Sequence, residues 1–307
     1  MLSASTGGRS ESGTIHPYDS AFDYHHDAKR FCDLTVTALT DLRNSSDLIR
    51  NLALREIKGK YKRTSLGQLW SLVNPIALML TYSIVFGTIM KGNKPAPGDP
   101  SGLDYFFLWL SCGLLPWIFI NNVVMSGMGS IVGNAGLMLK VYFPREVLVL
   151  ANSLAILFTF CFEMAVLNAA ALAFGGSPLW FIWMTALLMG VLFMFATGIA
   201  FFLAVANAYF RDTQHFVAIL LNLLFYAAPI VYTLQLAQVH RAQHPVLVGV
   251  VEWNPVTKFA EAFRNTIYDG RMPASSTIVY ILVVSAVLFL SGYAFFRHFA
   301  PRIVEEL

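Results

Sequence analysis

Charge is what this sequence has least of. Asp, Glu, Lys and Arg make up only 13% of its 307 residues, whereas 56% are apolar. A soluble domain carries about 25% charge, so most of this chain does not face water. Cysteine is scarce too. Cys32, Cys112 and Cys161 lie far apart and make neither a CxxC metal pair nor a disulfide framework. They read as small buried apolar side chains. The chain opens without an apolar core, so no secretory signal peptide is expected there. Residues 1–45 are rich in Gly, Ser, His and Asp and predict a disordered cytoplasmic tail.

Chemical motifs are missing as well. No G-x-x-x-x-G-K-[ST] loop occurs, so nothing here holds ATP in the usual way. No Asp-x-Asp occurs, which removes the paired carboxylates a membrane glycosyltransferase would use for a metal and a sugar diphosphate. His240 and His244 stand at a spacing that can bind metal on a helix. Neither has a Cys or carboxylate beside it, so they read as surface histidines and no metal site is expected. Ion-coupled carriers bury several ionisable groups and often show repeated halves. Here no repeat is visible, and Glu163 is the main acidic residue inside an apolar run. Single-chain catalysis is therefore not expected.

Long hydrophobic runs are what the chain does have. A bilayer core of ~30 Å needs about 20 apolar residues in a helix. Stretches at about 70–90, 105–131, 147–174, 179–206, 216–234 and 277–296 meet or approach that. Hydrocarbon offers no partner to an open backbone amide, so each must be helical. The expected fold is an all-α membrane protein with six transmembrane helices over 70–300. Of the 21 Lys and Arg residues, 15 fall on the side shared by both termini. The positive-inside rule makes that side cytoplasmic.

Three other segments stand out. Residues 46–69 begin with Leu48, Ile49, Leu52, Ala53, Ile57 and Tyr61 on one helical side and Arg50, Arg55, Lys58 and Lys62 largely on another. This predicts an amphipathic helix on the anionic inner leaflet; running straight into a span argues against a nucleic-acid patch. The stretch Gly133 to Glu146 is short, aromatic and cytoplasmic. It either packs on its own helix ends or offers a docking surface to another subunit. The external loop, 235–276, carries Phe259, Ala262, Phe263 and Ile267 at helical spacing between the turn signals Asn254-Pro255 and Asp269-Gly270. It reads as short re-entrant helices, or as an ordinary loop. Glu163 is a costly group to place in a span. It makes either a structural hydrogen bond or a direct contribution to transport.

The motifs "KYKRTSLGQLWSLVNP" (Lys60 to Pro75), "GLLPWIFI" (Gly113 to Ile120), "KVYFPRE" (Lys140 to Glu146), "YFRDTQHFV" (Tyr209 to Val217), "APIVY" (Ala228 to Tyr232) and "NPVTKFAEAFRNTIYDG" (Asn254 to Gly270) occur in that order. Together they resemble the membrane subunit of ABC-2 (type V exporter-like) polysaccharide exporters, such as O-antigen, teichoic acid and mycobacterial galactan permeases. The resemblance covers about residues 45–307; the polar tail departs from it.

The resemblance implies a homodimer working with two copies of a separate ATPase subunit, which binds ATP and Mg, while this chain holds no cofactor. It implies a bacterial inner membrane location and a lipid-linked glycan cargo carried on undecaprenyl-diphosphate. It points to Lys140, Val141, Tyr142, Phe143, Pro144, Arg145 and Glu146 as the ATPase-coupling segment, with Arg211 and Asp212 as second choices. Arg55, Lys58, Lys62 and Arg63 become candidates for attracting the diphosphate, or serve only as the topology signal. Tyr82, Phe86, Phe106, Trp109, Trp117, Phe119, Tyr226 and Tyr232 become candidates for the walls of a glycan channel, although aromatics also form interfacial belts. Two other readings stay open: an ABC-2 permease for a drug or lipid, and a membrane glycosyltransferase or scramblase that needs no ATPase.

Overall fold

The structure is a computed structural model. It describes residues 46–303 apart from 61, 63, 66, 83, 86–96, 139–142 and 240. The N-terminal tail, Arg63, Phe86, Lys140, Val141, Tyr142 and His240 therefore lie outside the described residues.

The described chain is a helical bundle. Helix α1 is Ser46–Lys60 and α2 is Trp70–Tyr82. Helices α3 (Phe106–Gly133), α4 (Glu146–Ala173) and α5 (Ile182–Tyr209) have 28 residues each. Helix α6 is Thr213–Ala227. After α6 follow α7 (Leu234–Val239), α8 (Pro245–Trp253), α9 (Pro255–Phe263) and a π-helical turn, Arg264–Asp269. Helix α10, Ser275–Ile303, closes the bundle.

Among the described residues, four helices are long and apolar enough to span a membrane: α3, α4, α5 with its 3-10 entry turn, and α10. The sequence expectation counts six. Helix α2 has 13 described residues and α6 has 15, both short of a full span. The expected fifth span, 216–234, stops at Ala227 for a local reason. Pro229 disfavours helical backbone in the residue before it, and Ala228 takes an extended ψ of 141°. The chain then runs on as irregular backbone, with Ala228, Ile230 and Val231 all buried.

Small residues set the centre of the bundle. A Cβ on Gly198 of α5 would meet the backbone of Leu288 at 2.7 Å, and one on Gly292 of α10 would collide with the Gly198 carbonyl. A Cβ on Gly127 of α3 would fall 2.8 Å from Ala200 Cβ of α5. Lipid tails are as apolar as Leu, so close backbone packing through small residues replaces the hydrophobic effect between spans.

Two elements enter the bundle from opposite ends. Helix α1 buries Leu52 and Ala53 and packs lengthwise on α4. Its residues share cavities with Asn134 and Leu148 at one end and with Asn122 and Thr159 at the other. It therefore leans into the bundle instead of resting wholly on its surface. From the other end, Phe259 of α9 meets Phe195 of α5 at 5.4 Å, and Phe263 meets Phe160 of α4 at 6.3 Å. Asn254 caps α9 by accepting from Val256 N at 2.9 Å, and Pro255 occupies its first turn. Gly270 ends the π turn with φ +71°, a left-handed position glycine takes without strain. Phe259, Ala262, Phe263 and Ile267, the expected amphipathic face, are all buried.

Candidate functional site

Between α1, α3 and α4 runs a groove with polar walls. Asn122, Ser126, Ser130 and Asn134 recur every four residues on α3, a spacing that stacks side chains on one helix face. Asn152, Thr159 and Glu163 follow on α4. Three adjoining cavities of about 310, 530 and 360 Å³ succeed one another along these residues. The first is lined by Arg55, Ser130 and Asn134, and the second by Ile57, Asn122 and Met125. The third holds Lys60, Trp70, Asn74, Asn122, Thr159 and Glu163. From Asn134 to Asn122 the groove follows α3 for about 18 Å at 1.5 Å per residue.

Acidic and basic side chains both line it. Arg55 donates to Glu56 at 3.1 Å and to Asn134 Oδ1 at 3.0 Å. Glu163 is 6% exposed and lines the third cavity together with Lys60. Asn152 donates to Ser126 O and Oγ at 2.8 and 2.9 Å, tying α4 to α3. Asn122 and Asn74 are exposed and make no hydrogen bond among the described residues. At its far end the groove is closed by Phe119 stacked on Phe160, 4.6 Å between ring centroids, with Phe263 of α9 behind Phe160.

The end of the bundle beyond this stack is held by a buried cation. Arg264 is buried at 6% exposure. It donates to Pro229 O at 2.8 Å and Ile230 O at 2.7 Å, the carbonyls left open where α6 breaks. Its guanidinium carbon lies 3.6 Å from the Trp109 ring centroid. Gly113 makes the room, since a Cβ there would fall 2.8 Å from Nη2. Irregular backbone survives at membrane depth only where protein satisfies it, and Arg264 does so. A guanidinium keeps its charge at neutral pH, so Arg264 holds these carbonyls as a cation. Burial pushes the Asp269 carboxyl up, against the Arg271 guanidinium that lowers it; the two pair at 3.1 Å.

The aromatic channel candidates are not gathered into one wall. Tyr82 and Trp117 pack on Phe225 of α6, at 6.1 and 5.8 Å. Tyr226 packs on Phe225 too and stays 66% exposed. The Tyr232 hydroxyl donates to Tyr226 O at 3.3 Å, which joins it to that cluster. Phe106 stacks on Trp109 beneath Arg264, and Phe119 belongs to the aromatic stopper of the groove.

In the segment before α4, Phe143 and Pro144 are half-buried. Arg145 turns back and donates to Ala300 O, while Glu146 is buried and accepts from Tyr293 at 3.4 Å. These two side chains join the loop to α10 instead of pointing outward. Arg211 and Asp212 are exposed in the turn between α5 and α6. Lys58 and Lys62 are exposed without an ion pair among the described residues.

A profile of the family described as ABC-2 type transporter matches residues 47–268. The chain belongs to that family. The O-antigen export system permease protein RfbA of Myxococcus xanthus is 28% identical over 272 residues, covering 89% of this chain and all of the relative. The protein of that name from Klebsiella pneumoniae is 25% identical, over 85% of this chain and 95% of its own. The polysialic acid transport protein KpsM of Escherichia coli is 23% identical, over 81% and 92%. ABC-2 permeases are membrane subunits that work with an ATPase partner, which accounts for a chain with apolar spans and no phosphate-binding loop. The groove has its signal in the sequence, in the four-residue ladder on α3 and the seven- and four-residue steps from Asn152 to Thr159 to Glu163.

Proposed function

We propose that this chain is the membrane subunit of an ATP-driven exporter of a lipid-linked polysaccharide, of the O-antigen, teichoic acid or galactan kind. It acts as a homodimer with two copies of an ATPase subunit that binds ATP and Mg, in the bacterial inner membrane, with both termini cytoplasmic. The observation that carries the reading is full-length similarity to relatives named for O-antigen and polysialic acid export. The polar groove through the spans supports it, because a drug or lipid cargo would call for an apolar wall.

The diphosphate-linked lipid is drawn to the cytoplasmic face by Lys58 and Lys62, whose charges are exposed; local positive potential at the leaflet favours an anionic head group. Arg55 takes less part, being engaged with Glu56 and Asn134. ATP-driven closure of the ATPase pair acts on the loop around Phe143, and Arg145 and Glu146 pass the motion to α10.

The test is export from inverted vesicles holding this chain and its co-purified ATPase. Radiolabelled lipid-linked glycan becomes protected inside the vesicles only with hydrolysable ATP. Protection without ATP, or without the ATPase, refutes the proposal.

A further inference from the structure

We infer that Tyr293 is a positioning residue for export. Its hydroxyl on Glu146 makes the C-terminal half of α10 a bar that joins the segment before α4 to the turn between α5 and α6, so that the two move together. The inference rests on the exporter reading, in which the ATPase acts on the segment around Phe143. It names the joint through which that push reaches the bundle.

Glu146 opens α4, where the open amides of a helix N-terminus favour an anion. It lies only 6% exposed, and a buried carboxylate needs a donor. The Tyr293 hydroxyl supplies one at 3.4 Å, and Tyr293 is itself buried. Arg145, the residue before Glu146, donates to Ala300 O. That carbonyl belongs to the last turn of α10, where helix carbonyls are open to a cation. Tyr293 and Ala300 stand seven residues apart, two turns along one face and about 10 Å at 1.5 Å per residue. Two grips on one face fix direction as well as position, whereas one alone would be a pivot.

Helix α4 itself touches α10 only sparsely and packs mainly on α3 and α1. The bonds from Arg145 and Glu146 are therefore what attaches this segment to α10. The attachment of α10 to α5 is of another kind. The two helices lie along each other, with Gly292 against the Gly198 carbonyl. Phe201 meets Tyr293 at 5.6 Å and Phe296 at 5.4 Å. Phe202 meets Phe295 at 5.1 Å, and Phe299 reaches Tyr209 at 6.4 Å. Tyr209 is the last residue of α5, two before Arg211. Close-packed rings and a tight glycine crossing transmit displacement, so α5 follows α10. Tyr293 belongs to both attachments: its ring lies on Phe201 and its hydroxyl on Glu146.

The experiment uses the full chain with its ATPase in inverted vesicles. It reads radiolabelled lipid-linked glycan taken up per ATP hydrolysed. Tyr293→Phe keeps the ring on Phe201 and removes only the hydroxyl. The complex should still assemble, while glycan per ATP falls about tenfold, the equivalent of one hydrogen bond to a charged group. Glu146→Ala should lower the ratio as far, and the double variant no further, since the two residues form one contact. Glu146→Gln retains an oxygen for the hydroxyl and should lower the ratio less than Glu146→Ala. A wild-type ratio in Tyr293→Phe, or losses that multiply in the double variant, overturns the inference. So does a fall in the ratio matched by loss of assembled complex, which assigns Tyr293 a structural role alone. Wild-type vesicles that take up no glycan with ATP remove the exporter reading and this inference with it. Wild-type uptake with an unchanged ratio in Tyr293→Phe removes the inference and leaves the exporter reading standing.

Discussion

Replacing Arg264 by Met keeps the unbranched stem as far as the position of Nε and removes the guanidinium with its charge and its donors. Two bonds from a cation to carbonyls are lost, at 2.8 and 2.7 Å. Hydrogen bonds to charged groups contribute about 1.5–3 kcal/mol each. The contact with Trp109 at 3.6 Å adds about 0.5–2 kcal/mol. Against this, the variant no longer buries a guanidinium, which offsets part of the loss. A net destabilisation of about 2–5 kcal/mol follows, concentrated where α6 breaks at Ala228. Arg264→Lys keeps the charge and one donor direction, so it should lose about half as much. The assay is thermal unfolding of the purified complex, with limited proteolysis mapping cuts to residues 228–233.

A double-mutant cycle sharpens the test. Gly113→Ala places a Cβ 2.8 Å from Nη2 and should push the guanidinium off its carbonyls. With Arg264→Met already present, Gly113→Ala should cost far less than it does alone, because interacting residues are non-additive. A wild-type melting curve for Arg264→Met, or strict additivity in the cycle, refutes the account of Arg264 as the clamp on the broken helix.

Gly198→Val should prevent the close approach of α5 and α10, since its Cβ would meet Leu288 backbone at 2.7 Å; loss of folded protein from membranes checks it, and normal yield counts against the packing. Asn254→Ala removes the cap on α9 and should cost about 1 kcal/mol, read as a small drop in melting temperature that Asn254→Asp restores. Phe143→Asp at the cytoplasmic loop should abolish glycan export or release the ATPase on purification, while Arg211→Ala should have a smaller effect on both.

The long apolar runs by themselves determined that this is a helical membrane protein, because a backbone in hydrocarbon has no other way to satisfy its amides. The same holds for the ends of α3, α4 and α5, which fall within a few residues of the runs read from composition. Cap and turn residues at Asn254, Pro255 and Gly270 were equally legible, since their conformational preferences act locally.

Other features could not be read from the chain. The expected span 216–234 ran straight through Pro229, where α6 breaks, and only the fold brings Arg264, 35 residues later in sequence, onto the carbonyls that the break exposes. The polar ladder of α3 is a local pattern without meaning until α4 and α1 form the other two walls. Glu146 falls in the segment that the resemblance assigns to ATPase coupling, and packing against Tyr293 turns it inward. Periodicity reports which face of a helix is polar. What that face meets depends on which helices approach it, and here glycine contacts and a buried guanidinium decide that.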